Sequence, residues 1–477
     1  MSTNAMPNTR LHLLSPIHVG TGQELDPFSY TIEDGHLLLL DILRWAESHA
    51  DRVDLMAKMD TEDHAALRAY ISANVEPNSD VVMDRLMVFS PSVQKNYRNA
   101  LSGRSVQQQA LINFMVRSEI SRRAFIPGSS IKGAIRTALA SSAARSAGVS
   151  PGDDFRRKYE SKIFGSPTKD VLKHLKVADM MLEASATAVF EATEHAFKAN
   201  LTPKGAYEAV CGLWPNGSPV VYPLALSLKP FMLQNQRIDA QRLVDILNVF
   251  YMPKFKEEYS KFYASKTMAD IQRAMAPLCL SIAAMKSNEA LVRIGHFSHV
   301  ECVTLDGLRR PKTRRGKDGK PLPWGKTRTL AAGLVPFGWA KIEFGDLPAQ
   351  RRPIQEWPFD MEEIQRLAKT PVSHWPAVGH SSPDPEPQQR TEPKVTKPAP
   401  VPEREVWRGA VLTYAKNTQE VTVTWEGRSA SSRQPELIPE ELMQKLLAKK
   451  KRKPVKSNVE VIKEGNKLTI AAIQLLE

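Results

Sequence analysis

The hydrophobic positions of residues 1–150 change repeatedly between the two-residue period of strands and the three- to four-residue period of helices. The predicted strands are 10–14, 28–32 and 36–40, with a loop at 15–26 and a tight turn at 33–35. Helical spacing covers 42–74, is weaker across 90–116, and returns from Pro127 through Ala144. Strands and helices interspersed in this way predict an α+β fold.

The second half of the chain repeats these ingredients with longer insertions. Extended runs are predicted at 177–181, 186–191, 220–229, 291–297, 327–335 and 339–344, and helices at 237–262 and 267–286. The pattern therefore indicates two weakly similar α+β halves, although it contains no exact repeat.

The composition changes sharply after residue 380. Seven prolines between 381 and 404 mark a linker with few apolar residues. Four short strands are predicted beyond it, at 406–414, 420–425, 459–462 and 468–473, together with a helix near 439–450. Strands of this number and length are typical of a small β-barrel.

The charge of the chain indicates which class of ligand it binds. The 477 residues include 65 Lys and Arg against 52 Asp and Glu, which gives a formal net charge of +13 and a pI near 9.5. Basic residues concentrate in two windows, 309–320 and 449–456. Such clustering favours nucleic acid as the ligand over an evenly solvated basic surface. Prolines and glycines interrupt the first window, which is therefore predicted to be a basic loop and not an amphipathic membrane helix.

Cysteine usage and hydropathy indicate the cytoplasm. Cys211, Cys279 and Cys302 are far apart and odd in number, which suits a reducing compartment. No apolar run is long enough to span a bilayer, and the N-terminal residues lack the apolar core of a signal peptide. We therefore expect a cytoplasmic protein with no membrane partner.

A Pro-Gly turn and two serines precede a basic helix in the segment FIPGSSIKGAIR at 125–136. Free N–H groups at a helix N-terminus attract anions, and Lys132 and Arg136, four residues apart, share one helix face. The segment is therefore suited to bind the phosphate backbone of a nucleic acid. A Pro-Gly turn followed by Ser also begins ordinary helices, however. The chain has no G-x-x-x-x-G-K-[ST] stretch, which argues against an NTPase.

Together with SPIHVGTG at 15–22, this segment resembles the RAMP superfamily of CRISPR-associated proteins. The order of the two motifs is most similar to the subunit that caps the filament of the type III-A, or Csm-type, interference complex. The resemblance extends over residues 11–344 and does not cover the tail.

The resemblance implies two ferredoxin-like, RNA-recognition-motif-like domains, at 1–175 and, with helical insertions, at 176–350. Beyond the resemblance, the sequence pattern predicts a Pro-rich linker at 351–404 and a β-barrel-like module at 405–477. The implied function is that of a non-catalytic subunit that binds CRISPR RNA near its 3′ end and supports assembly or maturation of an antiviral ribonucleoprotein. The implied partners are CRISPR RNA, the backbone RAMP subunits, the polymerase-like large subunit and, in addition, target RNA. No cofactor is expected.

Positions that match the family's motifs are predicted to bind RNA. They are Gly20 and Gly22 in the first glycine loop, and Gly128, Ser129, Ser130, Lys132 and Arg136 in the second. A later glycine-rich loop corresponds to 293–298, where only Gly295 remains, and Arg293 with the basic window after it is expected to compensate. Lys326 and Arg328 are further candidates beside Trp324, which either stacks on a base or anchors its loop. His18 is expected to pack or to contact phosphate, the alternative being acid–base chemistry.

Asp26 is the candidate for a rival, enzymatic function. In RAMP backbone subunits that cut target RNA, an aspartate lies in the loop after the first glycine motif, and Asp26 has a similar location. Its carboxylate could position a metal ion for RNA cleavage, although an Asp before Pro is also a common turn residue, which we favour. A second rival function is that of an adaptor that recruits partners through the 405–477 module.

His296, His299 and Cys302 have an H-x-x-H-x-x-C spacing that invites a zinc assignment. A tetrahedral site needs a fourth ligand, and a strand followed by a loop does not hold these three side chains on one face. We therefore expect no metal site here.

Overall fold

The structure is a computed structural model, and it describes most of the chain. The described residues are 5–49, 55, 63–102, 110–144, 146–150, 158–196, 199–211, 220–265, 268–308, 325–352, 356–370, 403–415, 420–426, 428–432, 438–447, 455–464 and 467–474. The chain divides into two units, Met1–His380 and Ser381–Glu477, and each is described by itself.

The first unit mixes short strands with helices of very different length. Its strands are β1 Ala5–Met6, β2 Thr9–Leu13, β3 Gly20–Leu25, β4 Tyr30–Glu33, β5 His36–Leu40, β6 Val82–Val88, β7 Ile112–Met115, β8 Phe125–Ile126, β9 Leu175–Val177, β10 Met180–Met181, β11 Thr187–Ala196, β12 Ala199–Val210, β13 Val220–Pro223, β14 Leu226–Leu228, β15 Phe231–Leu233, β16 Gln236–Ile238, β17 Glu289–Arg293, β18 Thr327–Ala331, β19 Val335–Pro336 and β20 Trp339–Phe344. Its helices are α1 Ile42–Glu47, α2 His64–Asn74, α3 Pro91–Leu101, α4 Gly128–Ala143, α5 Lys158–Phe164, α6 Ala240–Phe262, α7 Ala269–Ala283, α8 His299–Cys302 and α9 Met361–Ala368, with 3-10 turns at Pro167–Lys169 and Val171–His174.

Two sheets organise the first unit. The larger has the strand order β3-β7-β12-β11-β6-β5-β4, and β18 pairs with β11 and with β19. The smaller has the order β13-β2-β20-β17 and is antiparallel throughout. The larger sheet carries the hairpin β11–β12, whose strands also pair in parallel with β6 and β7.

The long helix α6 connects the smaller sheet to the motif helix α4. Its Asn248 side chain donates to the Glu289 carbonyl oxygen and accepts from the Leu291 N–H, both on β17. The Tyr251 hydroxyl donates to the Ala134 carbonyl oxygen on α4 over 3.1 Å. Apolar side chains from α4, α6, α7 and the smaller sheet form one continuous core. Burial of this core fixes α4 against the sheet.

The α+β class predicted from the sequence is confirmed, while several element boundaries differ. The predicted loop 15–26 contains the strand β3, and the predicted helix 42–74 holds two described helices, α1 and α2. The weak helical signal across 90–116 corresponds to α3 followed by β7. The division into two ferredoxin-like domains stays a prediction. Among the described residues, no helix combines the length and the apolar composition that crossing a bilayer needs.

The second unit contains a closed five-stranded barrel. Its elements are β21 Glu403–Ala415, β22 Glu420–Trp425, β23 Arg428–Ser432, α10 Glu440–Leu447, β24 Val455–Glu464 and β25 Lys467–Gln474. The strand order around the barrel is β21-β22-β23-β25-β24. The sequence pattern missed β23, because its residues Arg-Ser-Ala-Ser-Ser contain no large apolar side chain.

Candidate nucleic-acid interface

Three glycine-containing segments that are far apart in sequence meet at one open groove of about 380 Å3. The first glycine loop, helix α4 and the turn after β17 each contribute to its wall. The residues that define the groove are Gly20, Ser130, Gly133, Thr137, Gly295, His296 and Ser298. We call this set the glycine groove. Apolar side chains such as Val19, Ala134 and Ile294 complete the wall, and the buried Arg293 also borders it.

Close backbone contacts hold the first and third segments together. Gly295 has a φ of +93°, and a Cβ there would collide with the carbonyl oxygen of His18. The His296 N–H donates to that same carbonyl oxygen over 2.9 Å, and the Ser298 hydroxyl donates back to the Gly295 carbonyl oxygen. Only glycine tolerates the positive φ and also avoids the collision of a Cβ with the His18 carbonyl oxygen, which explains why residue 295 is a glycine.

Helix α4 faces the glycine groove with Ser130, Gly133 and Thr137, which are spaced by three and four residues. A Cβ added at Gly133 would meet no atom within 4 Å, so the helix backbone is open to the groove at this position. The Thr137 hydroxyl donates to the Gly133 carbonyl oxygen and keeps its lone pairs available as acceptors. This face can therefore hold a ligand close to the backbone.

Lys132 and Arg136 lie on a different face of α4 and bind to the protein itself. The Lys132 ammonium donates to the Leu172 carbonyl oxygen over 2.9 Å. The Arg136 guanidinium contacts the Asp170 carboxylate at 2.9 Å and the Glu160 carboxylate at 3.3 Å, and lies over the Phe164 ring. The segment 158–174 thus supplies counter-charges and acceptors for both side chains, and the expectation that they bind an RNA phosphate stays a prediction.

The start of α4 is also not a free anion site. The Gly128 N–H donates to the Asp179 carboxylate over 2.8 Å, so one of the N-terminal amides already has an anionic partner. A Cβ at Gly128 would collide with the carbonyl oxygens of Val177 and Ala178. Gly128 thus serves close packing within the chain. Ser129 is exposed, and its predicted contact with RNA stays a prediction.

Arg293 and Arg328, both predicted to contact RNA, belong to a buried ion network. The Glu258 carboxylate on α6 contacts the Arg293 guanidinium at 2.5 Å and the Arg328 guanidinium at 2.9 Å. Arg328 also contacts Glu301 at 3.0 Å. Burial by itself raises the pKa of the Glu258 carboxyl, but the two guanidinium groups outweigh it and bring that pKa to about 2. Both predictions are corrected, because neither guanidinium reaches the surface.

His18 packs beneath the glycine groove as a neutral ring. Its Nδ1 donates to the Glu208 carbonyl oxygen over 2.6 Å, and burial lowers the pKa of the imidazole to about 4. A Cβ at Gly20 would collide with the ring, so this glycine makes room for His18. Of the two roles expected for His18, packing fits this geometry, since a neutral buried ring is not a phosphate-binding cation.

Asp26 lies at the exposed end of β3 and acts as a turn residue. Its carboxylate accepts the Phe28 N–H over 2.8 Å, and its carbonyl oxygen accepts the Ser29 N–H. It is not among the residues that line the glycine groove. The geometry is that of an Asx turn, in agreement with the simpler of the two interpretations of the sequence.

The remaining predicted RNA contacts are partly accessible and partly outside the described residues. Gly22, with a φ of +84°, and Lys326 are both exposed, and their role stays a prediction. Trp324, the basic loop 309–320 and most of the basic window 449–456 lie outside the described residues.

The H-x-x-H-x-x-C residues do not point to a common ligand. The Nε2 of His299 accepts the Thr329 N–H over 3.3 Å, and burial lowers the pKa of this imidazole to about 3. Burial raises the pKa of the Cys302 thiol to about 11, which keeps it protonated. Within the described part of the chain, a different trio, His12, Glu289 and Glu343, has the spacing of a metal site. The Lys341 ammonium contacts Glu289 at 2.7 Å and supplies the positive charge there.

Sequence reasoning missed four residues of the glycine groove, Gly133, Thr137, His296 and Ser298, and the acid that fixes the nearby arginines. Gly133, Thr137 and Ser298 are uncharged, so a search for basic residues passed over them. The signal was present in the spacing of Ser130, Gly133 and Thr137, which places small residues on one helix face. Glu258 carried no signal, because an acidic residue in a long helix is normally solvated.

Comparison with known proteins shows what this fold and these motifs are similar to. The family model of the RAMP superfamily matches residues 10–205, so the chain contains a RAMP superfamily domain, and the predicted resemblance is confirmed. One similar solved structure is a chain of the cryo-EM structure of a Csm-crRNA-target RNA ternary complex in a type III-A CRISPR-Cas system. It is 18% identical with a TM-score of 0.50, and the match covers 70% of this chain and 99% of that chain.

A second solved structure is the crystal structure of T. onnurineus Csm5, which is 18% identical with a TM-score of 0.45. That match covers 69% of this chain and 99% of the other. No curated protein matches the sequence significantly. At 18% identity, the similarity to the chain of the Csm complex shows a similar fold and nothing more.

Proposed function

We propose that this protein is a CRISPR RNA-binding structural subunit of a type III-A interference ribonucleoprotein. In this proposal it caps the backbone filament near the 3′ end of the CRISPR RNA and supports assembly or maturation. The observation that carries the proposal is the convergence of both RAMP motifs and the Gly295 turn on the glycine groove. The RAMP domain and the fold likeness to a chain of a Csm-crRNA-target RNA complex support the same assignment.

The chemistry of the glycine groove suits positioning of an RNA backbone. Ser130, Thr137 and Ser298 offer hydroxyl groups, and Gly133 lets a ligand approach the helix backbone. Such groups bind sugars and phosphates and fix the register of a strand without reading its sequence. The backbone RAMP subunits, the large subunit and the target RNA would be the partners, and the cytoplasm would be the compartment.

The substitution Gly133→Glu tests the groove directly. The new side chain has room, because a Cβ at this position meets nothing within 4 Å, and it places a carboxylate where a phosphate would bind. We expect the Kd of the full chain for 3′-labelled CRISPR RNA to rise about tenfold, which corresponds to about 1.4 kcal/mol. The measurement is fluorescence anisotropy at a fixed salt concentration, since affinities for RNA depend on salt.

Ala269→Glu is the matched control, because it adds the same charge at an exposed position in the first turn of α7. We expect this control to change the Kd less than about twofold. Equal effects of the two substitutions, or no RNA binding by the unmodified chain, would contradict the proposal.

The position near the 3′ end is tested by crosslinking in the reconstituted complex. CRISPR RNA with a photoreactive uridine near its 3′ end should crosslink to peptides from α4 or from the turn after β17. The same label near the 5′ end should not. Crosslinks from the 5′ probe alone would place the subunit at the other end of the RNA.

The rival function, a metal-dependent endoribonuclease that uses Asp26, receives no support from the turn geometry of this residue. Asp26→Asn retains an oxygen that can accept the Phe28 N–H and removes the charge a metal would need. We expect the assembled complex to cut target RNA at the same positions with or without this substitution. Loss of one specific cut would favour the enzyme.

A further inference from the structure

Three aromatic side chains lie together beside the glycine groove. The ring of His296, a residue of the groove, has its centroid 4.7 Å from that of Phe297 and 6.1 Å from that of Tyr207. The Tyr207 ring lies 4.9 Å from Phe297 and meets the ring of the buried His18 edge-on at 5.1 Å. Strand β12 and the turn after β17 thus bring an aromatic cluster to the edge of the groove.

The protein core accounts for two of these rings but not for the third. Tyr207 and Phe297 are partly buried and pack against the core of the larger sheet, where the Phe297 ring is 4.7 Å from that of the buried Phe337. His296 is exposed and is not a member of that core. Among the described residues, neither nitrogen of its ring has a hydrogen-bond partner, and the Tyr207 hydroxyl has none either. These ring and hydroxyl groups are therefore available to a ligand.

Tyr207 and His296 are arranged as two offset and nearly parallel rings. Their planes differ by 22°, and their centroids are 6.1 Å apart. Rings in full overlap would be about 3.5 Å apart, so these two are displaced sideways relative to each other. Each ring therefore leaves part of the other's face uncovered, and a flat aromatic ligand can stack there.

The row of paired residues across the larger sheet sets the charge next to Tyr207. Tyr207 is paired with Phe190 on β11 and with Asn113 on β7, and Asn113 is paired with Glu24 on β3. Directly paired residues share one face of a sheet, so the row passes from the buried Phe190 to the exposed Glu24. Burial raises the pKa of the Tyr207 hydroxyl, and the nearby Glu24 carboxylate raises it further. A carboxylate here repels phosphate, so this side suits an uncharged part of the ligand.

The charges around the groove favour the same part of a nucleotide. Among the described residues that line the groove, Arg293 is the only one with a permanent charge, and its guanidinium is buried and paired with Glu258. Near Tyr207, the Lys204 ammonium contacts the Glu194 carboxylate. The phosphates of a bound strand therefore meet little free positive charge from these residues, which leaves a larger share of the affinity to contacts with bases.

We propose that Tyr207 and His296 form a stacking site for one base of a single-stranded RNA whose backbone lies in the glycine groove. This inference rests on the function proposed above and adds a nucleobase site beside the groove. The free His296 ring nitrogens and the Tyr207 hydroxyl are donors or acceptors for the edge of the base or for its ribose. Stacking tolerates every base because each has a flat π face, so the site positions the strand without selecting its sequence.

The test compares substitutions of exposed histidines in the full chain. His296→Ala removes the ring, while the backbone N–H can still donate to the His18 carbonyl oxygen. We expect the Kd for fluorescent oligouridylate, measured by anisotropy at one low salt concentration, to rise about fivefold. His296→Phe keeps an aromatic ring and should stay within about twofold of the unmodified chain.

His64→Ala is the matched control, because His64 is exposed at the start of α2 and is not among the residues of the glycine groove. It should change the Kd less than about twofold. Thermal unfolding of the His296→Ala and His64→Ala variants should match that of the unmodified chain, since both remove an exposed side chain.

A second oligomer shows whether His296 contacts a base. It has the same length as the oligouridylate but carries stable abasic residues in place of the uridines. We expect it to bind more weakly than oligouridylate, and we expect His296→Ala to change its Kd less than about twofold, because the ring then has no base to stack on. Gly133→Glu should weaken the binding of both oligomers, since the groove contacts the backbone.

The outcomes separate this inference from the proposed function. No effect of His296→Ala, an equal effect on both oligomers, or a loss of affinity in His296→Phe as large as in His296→Ala overturns the stacking site. If Gly133→Glu weakens neither oligomer while His296→Ala still weakens oligouridylate alone, the glycine groove fails as the backbone site and the stacking site stands. Absence of RNA binding by the unmodified chain overturns both.

Discussion

The two faces of helix α4 belong to one motif but differ in what they contact. On one face, Lys132 and Arg136 bind a carbonyl oxygen and two carboxylates of the same chain. On the other, Ser130, Gly133 and Thr137 face the open glycine groove. The charged face thus fixes the helix in the protein, and the uncharged face is left for a ligand.

The same division separates the two sides of the turn after β17. Arg293, just before this turn, borders the groove but is buried and has its guanidinium paired with Glu258, while Gly295 and Ser298 contribute uncharged groups to the groove. A guanidinium that leaves water needs a counter-charge, so arginines near a core acquire acidic partners from other elements. A basic residue inside a nucleic-acid-binding motif is therefore weak evidence for a nucleic-acid contact. Its burial and its nearest acid decide the assignment.

The largest predicted effect comes from removing the carboxylate that pairs with both buried arginines. Glu258→Gln keeps the shape of the side chain but leaves Arg293 and Arg328 with one carboxylate fewer in the interior. We expect a loss of about 3–5 kcal/mol in the free energy of unfolding, because the remaining buried charges are uncompensated. Urea unfolding of the full chain measures it.

Glu257→Gln is the control for this prediction. Glu257 is the preceding residue on α6 and is exposed, so the same chemical change should cost less than about 0.5 kcal/mol. If the two substitutions had similar effects, Arg293 and Arg328 would be solvated and available to a ligand after all.

A smaller effect is expected from the two glycines of helix α4. Gly128→Ala forces a Cβ against the carbonyl oxygens of Val177 and Ala178, so it should destabilise the protein by about 1–3 kcal/mol. Gly133→Ala meets open space within a helix and should stabilise it by about 0.5–1 kcal/mol. Thermal unfolding of the two variants gives opposite shifts. A loss at both positions would mean that Gly133 is also packed and that the groove is closed there.

The sequence predicted the α+β class, the two glycine motifs and the helix that begins after Pro127, because each depends on local periodicity or on a turn of known chemistry. It also placed Asp26 in a turn, since an Asx turn involves only neighbouring residues. These features need no knowledge of which elements meet.

What the sequence could not predict depends on contacts between distant elements. The partner of Arg136 is Asp170, and the partner of Arg293 is Glu258, which are 34 and 35 residues away along the chain. Nothing in a single sequence indicates which acid among 52 will lie beside which arginine. The barrel strand β23 was missed for a different reason, since its small polar residues gain their place from pairing with β22 and not from hydrophobic alternation.

The pH dependence of stability tests whether the ring beneath the glycine groove is neutral. The pKa of His18 is about 4 in the folded protein and near the ordinary value of 6.5 when unfolded. Between these values the unfolded state binds more protons, so stability is fully present above pH 6.5 and falls as the pH is lowered towards 4. One histidine contributes at most about 1.4 kcal/mol per pH unit in this window.

His18→Asn isolates this contribution, because the Asn side-chain amide can still donate to the Glu208 carbonyl oxygen but does not titrate. Carboxylates and the other histidines titrate in both proteins, so only the difference between the two pH profiles matters. We expect the unfolding free energy of the variant to fall less steeply between pH 6.5 and 4, by about 1 kcal/mol per pH unit. Parallel profiles would show that folding does not lower the pKa of His18, so the ring would be charged below about pH 6.5. A cation would then lie beside Gly20, and the contrast between a charged, internally paired face and an uncharged groove would be lost.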